Sequence, residues 1–135
     1  MNKLLIFATM VMLLISCSNS DKKAVEKDNK IALHADTLNV VRLTDTLVIY
    51  ESTCRGCAYE TSTSFDISDT AGIIKMHAII TTDNSAPGTD GGNISKDIIL
   101  VPQKTGSTVV KLFRFLKPDS KDSTDVKLYS IEVKN

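Results

Sequence analysis

Apolar and polar residues alternate along most of the chain with the period of β-strands. The clearest example is the C-terminal segment, where Tyr129, Ile131 and Val133 share one face and polar residues lie between them. From Thr37 onward Val, Ile and Thr dominate, and no stretch shows sustained helical periodicity. The pattern predicts seven strands, at residues 38–43, 46–51, 63–67, 73–81, 94–101, 107–116 and 126–134.

Turn-forming residues separate these strands. Short connections at residues 69–72 and 102–106 contain Gly with Asp or Pro, and longer loops lie at residues 52–59, 83–93 and 116–124. Seven short strands in roughly 100 residues are typical of a two-sheet sandwich. The predicted fold class is therefore all-β, an immunoglobulin-like antiparallel sandwich of about seven strands.

The alternation also predicts the side on which individual side chains lie. Phe113 and Phe115 share one side of their strand with Lys111, and we expect the two aromatic rings to pack in the core. An exposed binding stripe is the alternative. His77 is the one histidine of the predicted sandwich, and we expect it on the solvent face of its strand.

The N-terminus has the pattern of an export signal. Lys3 precedes an apolar run at residues 4–15, which would form a helix of roughly 18 Å, shorter than the ~30 Å core of a bilayer. The run ends in Leu-Ile-Ser-Cys at residues 14–17, which resembles the lipobox of bacterial lipoproteins. The resemblance implies a lipid on Cys17 and removal of a signal peptide at residues 1–16. An ordinary signal peptide with a chance cysteine is the alternative.

The next segment is polar and charged. Residues 17–36 contain too few apolar positions for a packed face, and they predict a flexible tether before a sandwich domain at residues 37–135. A chain anchored through Cys17 would lie in the bacterial cell envelope, at the outer membrane, on its periplasmic or surface face. We expect a monomer.

Charge and composition exclude several functions. The 135 residues carry 16 Lys and Arg and 16 Asp and Glu, and no basic stripe indicates nucleic-acid binding. A single domain histidine offers little general base for the many Ser and Thr hydroxyls, and no G-x-S-x-G or phosphate-binding motif is present. We therefore expect a protein that is not an enzyme and has no cofactor.

A C-x-x-C pair, Cys54 and Cys57, lies in the first of the longer loops. With Cys17 lipidated, these are the two remaining cysteines, and an oxidising compartment favours a local disulfide. Three alternatives remain open: a thioredoxin-like redox site, a zinc site and a copper site with Met76 or His77. The flanking residues do not begin a helix, a closed zinc site needs four ligands, and Met76 and His77 point to opposite faces of a strand.

The longer loops carry a resemblance to a known family. Residues 53–59 read Thr-Cys-Arg-Gly-Cys-Ala-Tyr, residues 89–92 read Thr-Asp-Gly-Gly, and Lys117-Pro118 follows a further strand. Their order and spacing, across residues 47–135, resemble chagasin-type inhibitors of papain-like cysteine proteases. In that family three loops, with motifs Asn-Pro-Thr-Thr-Gly, Gly-x-Gly-Gly and Arg-Pro-Trp, enter the protease cleft.

The resemblance implies an immunoglobulin-like fold and a papain-like cysteine protease as partner. It implies that the first loop lies nearest the protease nucleophile, the second beside it and the third at the rim of the cleft. The implied binding residues are Arg55, Gly56, Ala58, Asp90, Gly91, Gly92, Lys117 and Pro118.

Two other functions remain open. The same sandwich could serve as a non-catalytic adhesion, ligand-binding or assembly module whose partner is another envelope protein. A periplasmic thiol-redox or metal-binding protein built on Cys54 and Cys57 is the second alternative.

Overall fold

A computed structural model describes residues 30–89, 91–117 and 122–135. The predicted signal peptide and Cys17 lie outside these residues, as do Asp90 and Pro118. Within the described ranges the chain has eight strands and no helix, so no helix there could cross a membrane. The strands are β1 (Lys30–Ala32), β2 (Leu38–Arg42), β3 (Thr46–Cys54), β4 (Ser64–Ser68), β5 (Ile74–Asp83), β6 (Asn93–Pro102), β7 (Gly106–Phe115) and β8 (Asp125–Lys134).

The strands form two four-stranded sheets. Sheet I has the order β1-β3-β6-β5, and sheet II has the order β2-β8-β7-β4. This arrangement confirms the predicted all-β immunoglobulin-like sandwich, and β2 to β8 correspond to the seven predicted strands. The β1–β3 and β2–β8 pairs are parallel, whereas the other pairs are antiparallel. Neither parallel pair is a hairpin. β2, in sheet II, lies between β1 and β3 in the chain, and five strands lie between β2 and β8.

The sandwich begins earlier than residue 37. β1 pairs with β3, and the Leu33 N–H donates to the Val48 carbonyl at 2.9 Å. Leu33 is buried in the core, with Ile31 and Ala35 packed against it. Residues 30–36, predicted as the end of the tether, therefore belong to the sandwich. Ile31, Leu33 and Ala35 have the i, i+2 spacing of one strand face, but the segment is short and lies among charged residues, so the sequence did not predict a strand there.

The core lies between the two sheets. Sheet I contributes Leu47 and Ile49 from β3, which lie opposite Leu100 and Ile98 of β6. Sheet II contributes inward-facing residues of β7 and β8, including Ile131, which is fully buried. Burial of these side chains is the main stabilising contribution to the fold, at roughly 2 kcal/mol for each aliphatic side chain.

The prediction for Phe113 and Phe115 is wrong. On β7 the inward residues are Val110 and Leu112, so both phenylalanines lie half-buried on the outer face with Lys111. Their ring centroids are 6.4 Å apart. Both alternating sets on this strand are apolar, so the period alone could not choose the inward set. The same outer face carries the exposed side chains of Leu38, Val109, Val126 and Leu128.

His77 is exposed, as predicted, and lies at an irregularity in the β5–β6 register between Met76 and Ala78. Met76 faces inward and packs against the core. A register shift of this kind, with one extra residue on one strand, is typical of a β-bulge.

The turn between β4 and β5 is organised by Asp69. Its carboxylate accepts hydrogen bonds from the N–H groups of Ala71 at 3.0 Å and of Ile73 and Ile74 at 2.6 Å each, and from the Thr108 hydroxyl at 2.5 Å. Partial burial acts to raise the pKa of this carboxyl, but the four hydrogen bonds, led by that from Thr108, outweigh burial and hold it below its usual value. One side chain therefore links the turn to sheet II.

Candidate functional site

The three longer loops emerge at the same end of the sandwich. We define loop 1 as residues 55–63, loop 2 as residues 84–92 and loop 3 as residues 116–124. Cys54, at the end of β3, pairs with Asn93 at the start of β6, so loops 1 and 2 leave sheet I side by side. Because β4 and β8 both pair antiparallel with β7, loops 1 and 3 leave sheet II at this end as well.

A disulfide closes the start of loop 1. Cys54 and Cys57 are bonded, with their Cα atoms 5.6 Å apart, which confirms the predicted local disulfide. Gly56 lies inside this ring with a φ of 76°, a left-handed conformation that glycine adopts without strain. Among the described residues, no three His, Cys, Asp or Glu side chains are grouped so that they could hold a metal ion.

Loop 1 is tied to loop 2 through Arg55. Its backbone N–H donates to the Gly92 carbonyl at 2.9 Å. Its guanidinium donates through Nη1 to the Thr89 carbonyl at 2.7 Å, and Nε lies 3.1 Å from Oδ2 of Asp83. Both the backbone and the side chain of Arg55 are therefore engaged within the protein.

Asp83 is the partner on the β5 side of this contact. The Ser85 N–H donates to its Oδ1 at 2.9 Å. Hydrogen bonds from the Ser85 backbone and side chain, together with the positive charge of Arg55, hold the pKa of the Asp83 carboxyl below its usual value. The carboxylate thus stays ionised and available to Arg55 at neutral pH.

Loop 2 follows a path that depends on glycine. Gly91 and Gly92 have φ angles of 80° and 101°. A Cβ atom on Gly92 would lie 3.3 Å from the Ser85 hydroxyl, whereas one on Gly91 would meet nothing within 4 Å. Gly92 is therefore required by the backbone path and by a close approach, and Gly91 leaves open space at the surface. The predicted binding residue Asp90 lies outside the described residues.

The tip of loop 1 is exposed but internally bonded. The Gly56 N–H donates to a carboxylate oxygen of Glu60 at 2.5 Å, and the Glu60 N–H donates to the Cys57 carbonyl at 3.1 Å. Cys57, Ala58 and Tyr59 are all exposed. The loop therefore presents a small apolar tip whose backbone is held in place from below.

Loop 1 also contacts loop 3. The Ser62 hydroxyl donates to the Leu116 carbonyl at 2.5 Å. A groove of about 270 Å³ lies between the two loops, lined by Tyr59, Leu116, Lys117, Asp122, Ser123 and Thr124. Lys117 is exposed at its edge, and Pro118 lies outside the described residues. The described part of loop 3 thus extends the surface formed by loops 1 and 2.

The base of the loops is held between the sheets. Lys127 of sheet II reaches Glu51 of sheet I with 2.5 Å between Nζ and Oε1. Thr53, 2% exposed, has no hydrogen-bond partner for its hydroxyl among the described residues. The contact between Lys127 and Glu51 therefore joins the two sheets at the base of the loops.

The structure brings together the described members of the predicted binding set: Arg55, Gly56, Ala58, Gly91, Gly92 and Lys117 all lie at this end. Sequence reasoning missed the roles of Glu60, Asp83 and Thr89, which fix the loops from below. In the sequence these three residues are recognisable only as polar residues near glycine-containing loops, and that pattern does not show which groups they bind.

The fold can be compared with known proteins. No protein-family model matches the sequence, and a search of curated proteins finds no match. Among solved structures, the cysteine protease inhibitor EhICP2 from Entamoeba histolytica is similar with a TM-score of 0.58 and 20% identity, over 78% of this chain and 95% of that one. Amebosin is similar with a TM-score of 0.51 and 14% identity, over 77% and 93% of the two chains. At these identities the comparisons establish the fold, which this chain shares with the Entamoeba histolytica cysteine protease inhibitor EhICP2.

Proposed function

We propose that this protein inhibits papain-like cysteine proteases by placing its three loops in the protease cleft. The observation that carries the proposal is the convergence of loops 1, 2 and 3 at one end of a fold shared with a cysteine protease inhibitor. The fold similarity also supports the resemblance to chagasin-type inhibitors, which rests on the order of the loops.

The mechanism would be occlusion by preorganised loops. The disulfide and the Arg55 contacts hold loop 1 against loop 2 before any partner arrives, which lowers the conformational entropy lost on binding. Gly56 and Ala58 are small, so the tip of loop 1 can approach the nucleophilic cysteine closely. Gly91 would lie alongside it, and Lys117 would contact the rim of the cleft.

The geometry refines the role of one predicted contact residue. Arg55 was expected to touch the protease, but its guanidinium is bonded to Thr89 and Asp83. We therefore assign the Arg55 side chain the role of positioning loops 1 and 2, and we assign the direct side-chain contacts to the exposed tip from Gly56 to Tyr59.

The proposal includes attachment to a membrane. A lipid on Cys17 would lie 13 residues before Lys30, a tether that spans up to about 45 Å when fully extended. Such a reach would let the loops meet a protease at the envelope surface. Intact mass measurement should show acyl chains on Cys17, and the Cys17→Ser variant should leave the membrane fraction.

The experiment for inhibition uses a panel of papain-like proteases and the purified chain with its disulfide intact. We expect competitive inhibition at submicromolar concentrations. The Ala58→Arg variant should lose inhibition, because a long side chain at the tip blocks entry into the cleft. Ser107→Arg, at an exposed position on the opposite end of the sandwich, is the matched control and should inhibit normally.

Absence of inhibition at micromolar concentrations by the oxidised chain would contradict the proposal. It would instead favour a non-catalytic adhesion, ligand-binding or assembly module. Equal losses in Ala58→Arg and Ser107→Arg would show that the loop end is not the inhibitory surface.

A further inference from the structure

We infer that the Cys54–Cys57 ring and the contacts on both sides of it make loop 1 resistant to cleavage by the protease it blocks. This inference rests on the proposed function and extends it. A loop that enters a protease cleft presents its own peptide bonds to the nucleophile, so an inhibitor must avoid becoming a substrate. In loop 1 the disulfide ring and the hydrogen bonds on both sides of it act against such cleavage.

The ring contains three peptide bonds, of which Arg55–Gly56 is the central one. If any of them breaks, the disulfide still joins the two new ends in one covalent piece. The Cα atoms of Cys54 and Cys57 are only 5.6 Å apart, so the ends remain close to each other. Cleavage inside the ring therefore releases no free loop end.

The N-terminal side of the central bond has anchors of its own. The Arg55 N–H is bonded to the Gly92 carbonyl, and the guanidinium is bonded to the Thr89 carbonyl and to Asp83. These contacts do not involve the C-terminal side of the bond. The carbonyl carbon of Arg55 would therefore stay in place after the bond had broken.

The C-terminal side is anchored independently. The Gly56 nitrogen donates to the Glu60 carboxylate, and the Glu60 N–H donates to the Cys57 carbonyl. After cleavage the nitrogen of Gly56 would be a neutral amine that still donates a hydrogen bond to the Glu60 carboxylate, and this hydrogen bond would hold it in its present position. The amine would thus remain near the carbonyl carbon that it had left.

The chemical consequence is re-formation of the bond. The protease thiolate attacks the Arg55 carbonyl carbon, the bond to the Gly56 nitrogen breaks, and that nitrogen takes a proton from the general acid of the protease. The product is a thioester on Arg55. In the reverse step the neutral Gly56 amine attacks the thioester and passes one proton back to the general base of the protease, which restores the peptide bond and releases the thiolate. Hydrolysis requires water to replace an amine that the ring and Glu60 hold nearby.

The conformation of the ring also slows the first step. Gly56 has a φ of 76°, which belongs to a turn and not to the extended backbone that a sheet-like substrate adopts. The ring prevents the tip from extending, so the scissile carbonyl is poorly aligned for attack. Opening the ring removes both this restraint and the tether between the new ends.

The test compares the chain purified without reductant with its Cys54→Ser/Cys57→Ser variant. The probe is papain that has been activated with reductant and then desalted. We expect the wild-type chain to inhibit and stay intact. The variant should inhibit at first and then lose inhibition as it is cut between residues 54 and 60. The rate of cleavage should rise by about 20-fold or more, the factor that corresponds to the entropy of closing a ring of this size.

A second way to open the ring is to reduce and alkylate the wild-type chain, which should then be cleaved like the variant. Wild-type chain that is reduced, left unalkylated and reoxidised should regain its resistance. A thermal melt checks that each form is folded, and fragment masses show whether cuts lie in loop 1. Inhibition by both proteins with no cleavage of the variant would overturn the inference and leave the proposed function intact. Rapid cleavage of the wild-type loop would overturn it too. Lack of inhibition by either protein would overturn the proposed function and the inference with it.

Discussion

The Nε atom of Arg55 lies 3.1 Å from Oδ2 of Asp83, which joins the first residue of loop 1 to the last residue of β5. The two side chains are 27% and 41% exposed, so solvent screens their charges and the pair adds little to the free energy of unfolding. Its importance is geometric, because the same guanidinium also bonds the Thr89 carbonyl in loop 2. Stability and inhibition should therefore respond differently when the arginine is removed.

The Arg55→Ala variant should separate these two effects. We expect the free energy of unfolding to fall by about 1 kcal/mol or less. The inhibition constant against a papain-like protease should rise by about tenfold, because loop 2 would lose its side-chain link to loop 1 and part of its ordering would then occur on binding. Denaturant unfolding and inhibition kinetics measure the two quantities. Arg42→Ala, at the opposite end of the sandwich, is the control, and an equal rise there would contradict the positioning role.

Acid stability should depend on Asp69. The pKa of this carboxyl lies below its ordinary value of 3.8 in the folded protein, so the unfolded chain binds more protons between the two pKa values. The stabilising contribution is fully present above the unfolded pKa, and it is lost as the pH falls below about 4 through the folded pKa. The Asp69→Asn variant should lose about 1–3 kcal/mol at neutral pH, because an amide cannot accept all four hydrogen bonds.

Urea unfolding at several pH values checks this expectation. The free energy of unfolding of Asp69→Asn should depend less on pH in the acid range than that of the wild type. Asp66→Asn, an exposed position on the neighbouring strand, is the matched control and should change the neutral-pH stability little. Similar acid profiles for wild type and Asp69→Asn would show that other carboxyls control acid unfolding.

Alkaline stability should depend on Tyr129. Burial raises the pKa of Tyr129 to about 12, and the charges of Glu51, Asp125 and Asp36 add to the shift. The ordinary pKa of a tyrosine is 10.0, so between pH 10 and about 12 the folded chain keeps a proton that the unfolded chain releases. Stability should therefore fall across that range, by about 3 kcal/mol at most. Ultraviolet titration of tyrosinate should show a late step that Tyr129→Phe lacks, and an unchanged titration in that variant would contradict the assignment.

The strand pattern was predictable because alternation and turn chemistry act locally. In β8 the inward set of Tyr129, Ile131 and Val133 is flanked by polar residues, so period and face follow from the sequence. β3 runs to Cys54, three residues beyond the predicted end, because its pairing with β6 continues to Asn93. The extension depends on pairing with another strand, so the sequence of β3 alone does not predict it.

Three features of the molecule depend on contacts that a single sequence does not reveal. Both faces of β7 are apolar, so the outward position of Phe113 was decided by packing between the sheets. β1 is only three residues long and gains its stability from β3, not from its own pattern. In the site, the Cys54–Cys57 disulfide could be predicted from the cysteine count and from the oxidising compartment that the lipobox resemblance implies. The contacts of the Arg55 guanidinium with loop 2 could not be predicted, because the partner of a long side chain depends on which residues the fold brings near it.

Tyr59 offers the sharpest test of the surface formed by loops 1 and 3. Its side chain is 41% exposed beside their groove, and its carbonyl accepts hydrogen bonds from the Thr63 N–H at 3.0 Å and the Thr63 hydroxyl at 2.6 Å. Because Tyr59→Ala keeps these backbone bonds, it should change the free energy of unfolding by less than about 1 kcal/mol. An exposed tyrosine at the centre of an interface commonly contributes about 2 kcal/mol to binding, so the inhibition constant should rise roughly 30-fold. Tyr50→Ala, which removes a tyrosine 60% exposed on the outer face of sheet I, should leave inhibition unchanged. If inhibition is the same in both variants, the surface between loops 1 and 3 does not contact the protease.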